Sequence, residues 1–383
     1  PEIEIDHHVS SYSRSRDVMA ASRGTQRKGS RFSLSLCAPA PMSEFPGEWT
    51  GLANLRRFRI GQTNRGGGTK ILILIIGGTG FYGRRLAPLL ANCGEEIACM
   101  DINPETADFS EHSKQVRVMR GDVSQFDDVM NALNIAKPSR VINLAYFLGS
   151  DYPPRVAFKL NILGMDNCFE ACRLAAVNRI AYASSLAVPG ERKFYGDRRI
   201  NEGDFRHGHV QYAMHKIFNE WQAQDYCEKH GMEITAIRPA NVTGPDKIIG
   251  SVDHVFCITT PARGNPVSFP FRDAMRCPIH VDEVAEIFAR VIVKDKPEHW
   301  ICNTGGQAVS LGEIADIVKE FLPGAQITFD KDTGGKEVSG NYLIDNTRLV
   351  QEFGVQYRPY RERVLQIIND IRREAGLPLI GGR

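Results

Sequence analysis

Nine cysteines in 383 residues, none of them in a Cys-x-x-Cys pair, leave this chain without the spacing of a zinc site or a thiol–disulfide motif. The closest two, Cys168 and Cys172, fall in a helical pattern that buries both, so the usage points to a reducing, cytoplasmic setting and no metal. No apolar run approaches the roughly 18 residues of a membrane span, and none resembles a secretory h-region, so no membrane partner is expected. A net charge of only +2 gives no reason to expect a nucleic-acid or acidic partner. No internal repeat is visible, which excludes solenoids and propellers. What the chain does have is length and a hydrophobic content of 42%, enough for one large domain or two unequal ones.

The N-terminal part differs in kind. Its first 70 positions hold 11 Lys and Arg against 6 Asp and Glu, with much Ser and no apolar periodicity. Residues 1–69 are expected to be a disordered extension, because so little patterned apolar surface cannot drive folding. Arg and Ser also fit a transit peptide, whereas Glu2, Glu4 and Asp6 argue against one. The chain opens on Pro1 rather than Met, which fits a fragment or a start assigned upstream of Met42.

The organising stretch is Ile71-Leu-Ile-Leu-Ile-Ile-Gly77-Gly-Thr-Gly80-Phe-Tyr-Gly83. Six apolar residues, four of them β-branched, predict a strand buried on both faces, which belongs in a parallel sheet covered by helices. Gly77, Gly80 and Gly83 then predict a tight turn into a helix. Missing side chains there let backbone N–H groups and the positive helix end approach a pyrophosphate. An ordinary βα turn needs no such ligand, and a glycine triplet alone does not separate the two. The second predicted strand, Glu96 to Met100, ends in Asp101, 18 residues after Gly83. A carboxylate there accepts from an adenosine ribose 2'-hydroxyl and repels a 2'-phosphate, so NAD is favoured over NADP. Arg84 and Arg85 pull slightly the other way, unless they are simply solvated on the first helix.

Further strands are predicted at Val116–Met119, Arg140–Ala145, Arg179–Ser185 and Glu233–Arg238. Asp122 and Val123 follow the first of these, where the Asp serves either an adenine amine or the cap of the next helix. Leu144 and Ala145 end the second in small residues that let a cofactor pass. From Val156 to Val177 the pattern is helical and apolar nearly all round, which calls for two packing partners, the sheet and a second subunit. Asn161 is the polar exception and must find hydrogen bonds.

The strand at 179 delivers Ser184 and Ser185 to its carboxyl end, the edge where open α/β sheets bind ligands. A charged, glycine-rich loop (191–209) leads into a helix from Gln211 to about His230, with Tyr212 and Lys216 on one face. A Tyr four before a Lys arises about 0.4 times by chance in this composition, so position carries the inference. Pro239 to Pro245 turns sharply after the strand at 233. Beyond 245 a helix begins near Ile279, Trp300–Asn303 and Gln326–Phe329 read as strands, Ser310 to Glu313 is a capping box, and Arg361–Arg373 is a final helix. The fold class is α/β, a doubly wound parallel sheet over 70–245 with a smaller C-terminal α/β domain over 246–383, some of whose segments return to the first.

In this order the motifs resemble the extended short-chain dehydrogenase/reductase family, its NAD-dependent epimerase/dehydratase group. They are Gly77 to Gly83, Asp101, Asp122-Val123, Asn143-Leu-Ala145, Asn161, Ser184-Ser185, Tyr212-x-x-x-Lys216, Arg238-Pro-Ala-Asn-Val-x-Gly244-Pro and Ile279 to Ala285, so the likeness spans roughly 70 to 375. It implies a Rossmann fold, a homodimer, Tyr212 as general acid/base and Lys216 on the nicotinamide ribose. It further implies Ser185 on the reacting oxygen, Asn161 as anchor of a proton relay, and cofactor contacts from Phe81, Tyr82, Leu144, Ala145 and Pro239. An ammonium beside a phenol stabilises the phenolate, so the pair is expected to exchange protons near neutrality.

Departures from the family matter as well. Ser185-Leu-Ala-Val-Pro-Gly190 lacks the acidic residue of members that eliminate water or carbon dioxide. Arg276, four before His280, matches an arginine that grips the diphosphate of UDP-sugars, with Asn241 as a further substrate residue. A second expected arginine is missing, and Lys336 in its region is a point charge without a fork. The expected function is hydride transfer at a secondary alcohol or ketone carbon of a small polar substrate such as a sugar or nucleotide sugar. The alternatives are a simple dehydrogenase of a hydroxy acid, amino alcohol or sterol-like alcohol, and a non-catalytic NAD sensor.

Overall fold

A computed structural model of the protein describes residues 71–148 and 152–381. The extension expected over residues 1–69 lies outside them. The apolar run forms strand β1, Leu72–Ile76, and helix α1, Gly83–Asn92, follows the glycines directly. Next come β2, Glu96–Asp101, β3, Val116–Arg120, helix α2, Phe126–Ala136, and β4, Arg140–Asn143. The greasy helix is broken into α3, Pro154–Phe158, a π turn over Lys159–Leu163, and α4, Gly164–Leu174. Strand β5, Arg179–Ala183, helix α5, Gln211–His230, and β6, Glu233–Arg238, complete this part.

Pro239 to Pro245 is more than a turn. Asn241–Thr243 is a short strand, β7, that pairs in parallel with a later one. Helix α6, Asp253–Ala262, and strands β8, Val267–Phe271, β9, Met275–Arg276, and β10, Pro278–His280, follow. Helix α7, Val281–Val293, is capped by His280 and Glu283, each bonding the other's backbone. Strand β11 is Ile301–Asn303, and β12, Val309–Ser310, leads into α8, Leu311–Phe321, through the expected Ser310–Glu313 box. Strand β13, Ile327–Lys331, precedes helices α9, Thr347–Phe353, and α10, Tyr360–Glu374.

Seven strands form one parallel sheet in the order β11-β6-β5-β4-β1-β2-β3. The chain winds outward from β1 in one direction through β2 and β3, and in the other through β4, β5 and β6. Between β1 and β4 the direction reverses, and ligands of such sheets bind beyond the carboxyl ends at that point. The period-2 alternation of the strands explains why both faces are covered. Ile73, Ile75, Ile97 and Cys99 pack with Leu86 and Leu90 of α1 and Ile287 and Phe288 of α7. Leu74, Ile76, Ala98 and Met100 pack with Val129 and Leu133 of α2, Phe169 of α4 and Ala223 of α5. Each Leu, Ile, Val, Met or Phe among them contributes about 1.5–3 kcal/mol by leaving water.

The C-terminal segments divide between two cores. Helix α7, β11 and the Leu349–Val355 stretch join the sheet, so the strand at Ile301 extends the large sheet. Helices α6, α8 and α10 with β8 and β13 enclose a separate apolar cluster around Ile258, Ile314, Val318, Val364 and Ile368.

Candidate active site

The turn after β1 is shaped by backbone contact. Gly77 has φ of +76°, and a Cβ on it would meet the backbone nitrogen of Ala145 at 2.8 Å. At Gly83 a Cβ would strike the carbonyl oxygen of Gly78 at 2.3 Å. Both glycines are therefore required by the protein itself. Gly80 differs: the one atom a Cβ would crowd is the oxygen of Gly77, at 3.3 Å. Its bareness leaves a face of the loop open at the start of α1, which fits the approach of a pyrophosphate. The Phe81 and Tyr82 rings lie 5.4 Å apart and tilted by 41°, and both pack against the core.

Asp101 ends β2 with one carboxylate oxygen 3.2 Å from the amide of Thr79 and the other 3.2 Å from that of Asn103. The two arginines that favoured a 2'-phosphate are engaged elsewhere. Arg84 and Arg85 both pair with Asp246, Arg85 through both terminal nitrogens, and Arg85 also lies 3.5 Å from Asp282. Asp122 is not the cap of α2, whose N-cap is Gln125. It instead accepts from the amide of Ser124 at 2.8 Å, an Asx turn that presents it beside β3. Val123 is buried, with its side chain against Gly164. Leu144 donates to Ile76 and Ala145 to the Asn143 side chain, so the ends of β1 and β4 meet at Gly77.

Three of the expected groups converge beyond β5. Ser185, two residues past the strand, lies beside Tyr212, the second residue of α5, and its Oγ accepts from the amide of Ala187 at 3.0 Å. Burial pushes the Tyr212 phenol above its ordinary pKa and the Ser185 hydroxyl beside it pulls it part-way back. The expectation that Lys216 lowers this phenol is not met. The Lys216 ammonium is 5.7 Å from the Tyr212 ring centre, donates to Ala183 O at 2.5 Å and lies 3.0 Å from the Tyr146 ring centre. Burial takes Lys216 itself well below its ordinary pKa, with Glu220 opposing the shift. Asn161 occupies the π turn, a feature common at functional sites. Its Oδ1 accepts from Phe147 N at 2.9 Å, its Nδ2 lies 3.4 Å from Nδ1 of His215, and its carbonyl accepts from Asn219 at 2.9 Å.

Two supporting residues escaped the sequence reading. Glu220, one turn beyond Lys216 and fully buried, accepts from Ser184 Oγ at 2.6 Å, from Arg206 at 2.9 Å, and from two nitrogens of Arg238 at 2.7 Å each. It ties α5 to the ends of β5 and β6. Its spacing four after Lys216 was the available signal. Tyr146 stands edge-on to Tyr212 at 5.7 Å and 87°, and its hydroxyl donates to Asn219 at 3.0 Å. Nothing short of the fold would have revealed it.

The substrate side is less open than its residues suggested. Pro239 O accepts from Leu186, and Asn241 Oδ1 accepts from Cys277 N at 2.9 Å, binding β7 to β10. Arg276 is paired with Asp253. Among the described residues no three His, Cys, Asp or Glu side chains gather as a metal site, and no helix is long and apolar enough to cross a membrane.

The NAD dependent epimerase/dehydratase family model matches residues 73–303, more than half of the chain. The chain belongs to this family. It is accordingly an enzyme of the extended short-chain dehydrogenase/reductase type, with a doubly wound fold and NAD as its cofactor. Protein CapI of Staphylococcus aureus is 26% identical over 239 residues, 58% of this chain and 69% of that protein. The decarboxylating sterol-4-alpha-carboxylate 3-dehydrogenase of Saccharomyces cerevisiae is 30% identical over 186 residues, 45% of this chain and 51% of its own length. The chain thus spans about half the length of several curated relatives it matches. Among solved structures, UDP-glucose 4-epimerase of Thermus thermophilus with NAD superposes with a TM-score of 0.68 at 24% identity, over 79% of this chain and 99% of that one.

Proposed function

We propose that this family member moves a hydride between NAD and a secondary alcohol or ketone carbon of a small polar substrate, with sugars as the leading class. The observation that carries the reading is the juxtaposition of Ser185 and Tyr212 at the carboxyl edge of the sheet, with Lys216 one turn along the same helix. NAD, when bound, supplies the hydride acceptor and donor. Tyr212 takes or returns the proton at the substrate oxygen, and Ser185 donates to that oxygen as its charge changes. Lys216 holds the nicotinamide ribose, a role its short bond to Ala183 O positions it for. Asn161 orders the Phe147 backbone beside the site.

Gly77, Gly80 and Gly83 would cradle the pyrophosphate, Asp101 the adenosine ribose, Asp122 and Val123 the adenine, and Phe81, Tyr82, Leu144, Ala145 and Pro239 the path between. With Arg84 and Arg85 both committed to Asp246, nothing on α1 invites a 2'-phosphate. The working form is a homodimer through α3–α4 and α5. Supporting this, Met214, Phe218 and Trp221 make an exposed stripe on α5, and Val156, Phe158 and Leu163 are exposed on α3 and the π turn. A cytoplasmic setting fits the eight free cysteines among the described residues. A monodisperse monomer in light scattering would remove the dimer.

Net oxidation and epimerisation are two outcomes of one chemistry, and the yeast and Thermus proteins are named for one of each. Absorbance in the reduced-nicotinamide band separates them. A dehydrogenase accumulates NADH with its alcohol, whereas an epimerase converts its sugar without lasting reduction. No turnover on a broad panel of sugars and alcohols, with NAD binding intact, would overturn the enzymatic reading.

A further inference from the structure

Past the carboxyl end of β6, two side chains meet on one carbonyl and two more pair beside them. Lys247 Nζ donates to Val242 O at 2.7 Å, and His254 Nε2 lies 3.2 Å from the same oxygen. Asp253, the first residue of α6, accepts from Arg276 Nε at 3.0 Å and from its Nη2, while Arg276 Nη1 donates to Met275 O at 2.6 Å. All three guanidinium nitrogens of Arg276 are therefore engaged within the protein. The loop that carries Lys247 lies on the cofactor turn, because a Cβ on Gly244 would sit 3.1 Å from the Phe81 ring. The cluster thus borders the cofactor turn, and its proposed role rests on the assignment of Arg276 and Asn241 to the substrate.

A free arginine in a substrate cleft is the natural partner of a diphosphate, since its fork matches two phosphate oxygens. Here the fork is already filled by a carboxylate of the same geometry. A diphosphate would have to displace Asp253 and leave that carboxylate partly buried, facing another anion, which is how a site rejects a wrong partner. We propose that Asp253 is a specificity-determining residue. By occupying Arg276 it closes this subsite to a nucleoside diphosphate and restricts the substrate to one carrying no more than a single negative charge. Lys247 is the cation left to meet that charge, its partner being a carbonyl. Its burial pulls its pKa down to about 8, so it is still mostly charged at neutral pH. Burial holds His254 neutral, so among the four groups two cations face one carboxylate.

Calorimetric titration of the NAD-loaded full chain with UDP tests this directly. The wild type is expected to show no saturable binding up to about 1 mM, and Asp253→Asn, which keeps the shape and removes the charge, to gain about tenfold or more in affinity. Adding Arg276→Ala to that variant should remove the gain. Micromolar UDP binding by the wild type that Arg276→Ala abolishes would overturn the proposal, as would an Asp253→Asn variant that melts normally and gains nothing. If Asp253→Asn fails to fold, the wild-type titration alone decides. Tyr212 takes no part in UDP binding, so a failure of the catalytic assignment would show in turnover and leave this titration unchanged.

Discussion

The two sides of the proposed cleft are made of different materials. On the cofactor side the shape is set by backbone: Gly77 against Ala145, Gly83 against Gly78, and strand ends meeting at the reversal between β1 and β4. On the substrate side it is set by side chains, Arg276 held by the Asp253 carboxylate and Asn241 by the backbone N–H of Cys277. Backbone shape needs only a missing side chain at fixed positions of one turn, so it recurs as a motif. Side-chain pairing joins residues far apart and can change one charge at a time, so it is where members of one family can diverge in substrate.

The largest effect expected lies where the two sides join. Glu220→Ala leaves the guanidinium of Arg238 buried without its carboxylate and should cost about 3–5 kcal/mol, read from denaturant unfolding. A loss below about 1 kcal/mol would mean that the network does not hold α5 to the sheet. Next come the glycines, which sharpen the contrast within one loop. Gly83→Ala forces a Cβ onto a carbonyl and should lose about 1–3 kcal/mol. Gly80→Ala should melt near the wild type while losing NAD affinity, because its open face serves a ligand and not the fold. Equal stability losses for the two would erase that distinction.

The smallest effect concerns pH. Burial raises Asp370 to about 6 from its ordinary 3.8. A carboxyl with a folded pKa above its unfolded one favours folding when protonated, so its contribution is full below about pH 4 and is lost as pH rises through about 6. Asp370→Asn should flatten that part of the stability profile. An unchanged slope would place the titration elsewhere.

Much of the cofactor side was legible in the sequence, because β1, the glycines and Asp101 are signals of adjacent residues with a steric or charge requirement. The order of the sheet followed from strands separated by helices. Tyr212, Lys216 and Ser185 could be named because helix spacing and a strand end predict where side chains meet. The π turn at Asn161 was not legible, since one polar residue in an apolar helix says only that it needs partners. Tyr146 was hidden because its contacts with Lys216 and Tyr212 cross 70 and 66 positions of chain. The direction of the Tyr212 shift was out of reach for a similar reason. Spacing brings an amine near a phenol, but here Ala183 and Tyr146 hold that amine while burial acts on the phenol.

The catalytic assignment stands or falls on Tyr212→Phe, which removes one hydroxyl and leaves the ring packed against Tyr146. On whichever sugar or alcohol the wild type turns over, the variant is expected to lose at least about 100-fold in kcat while its NAD affinity stays within about twofold. A folded Tyr212→Phe protein with wild-type turnover would contradict the role of this phenol in proton transfer.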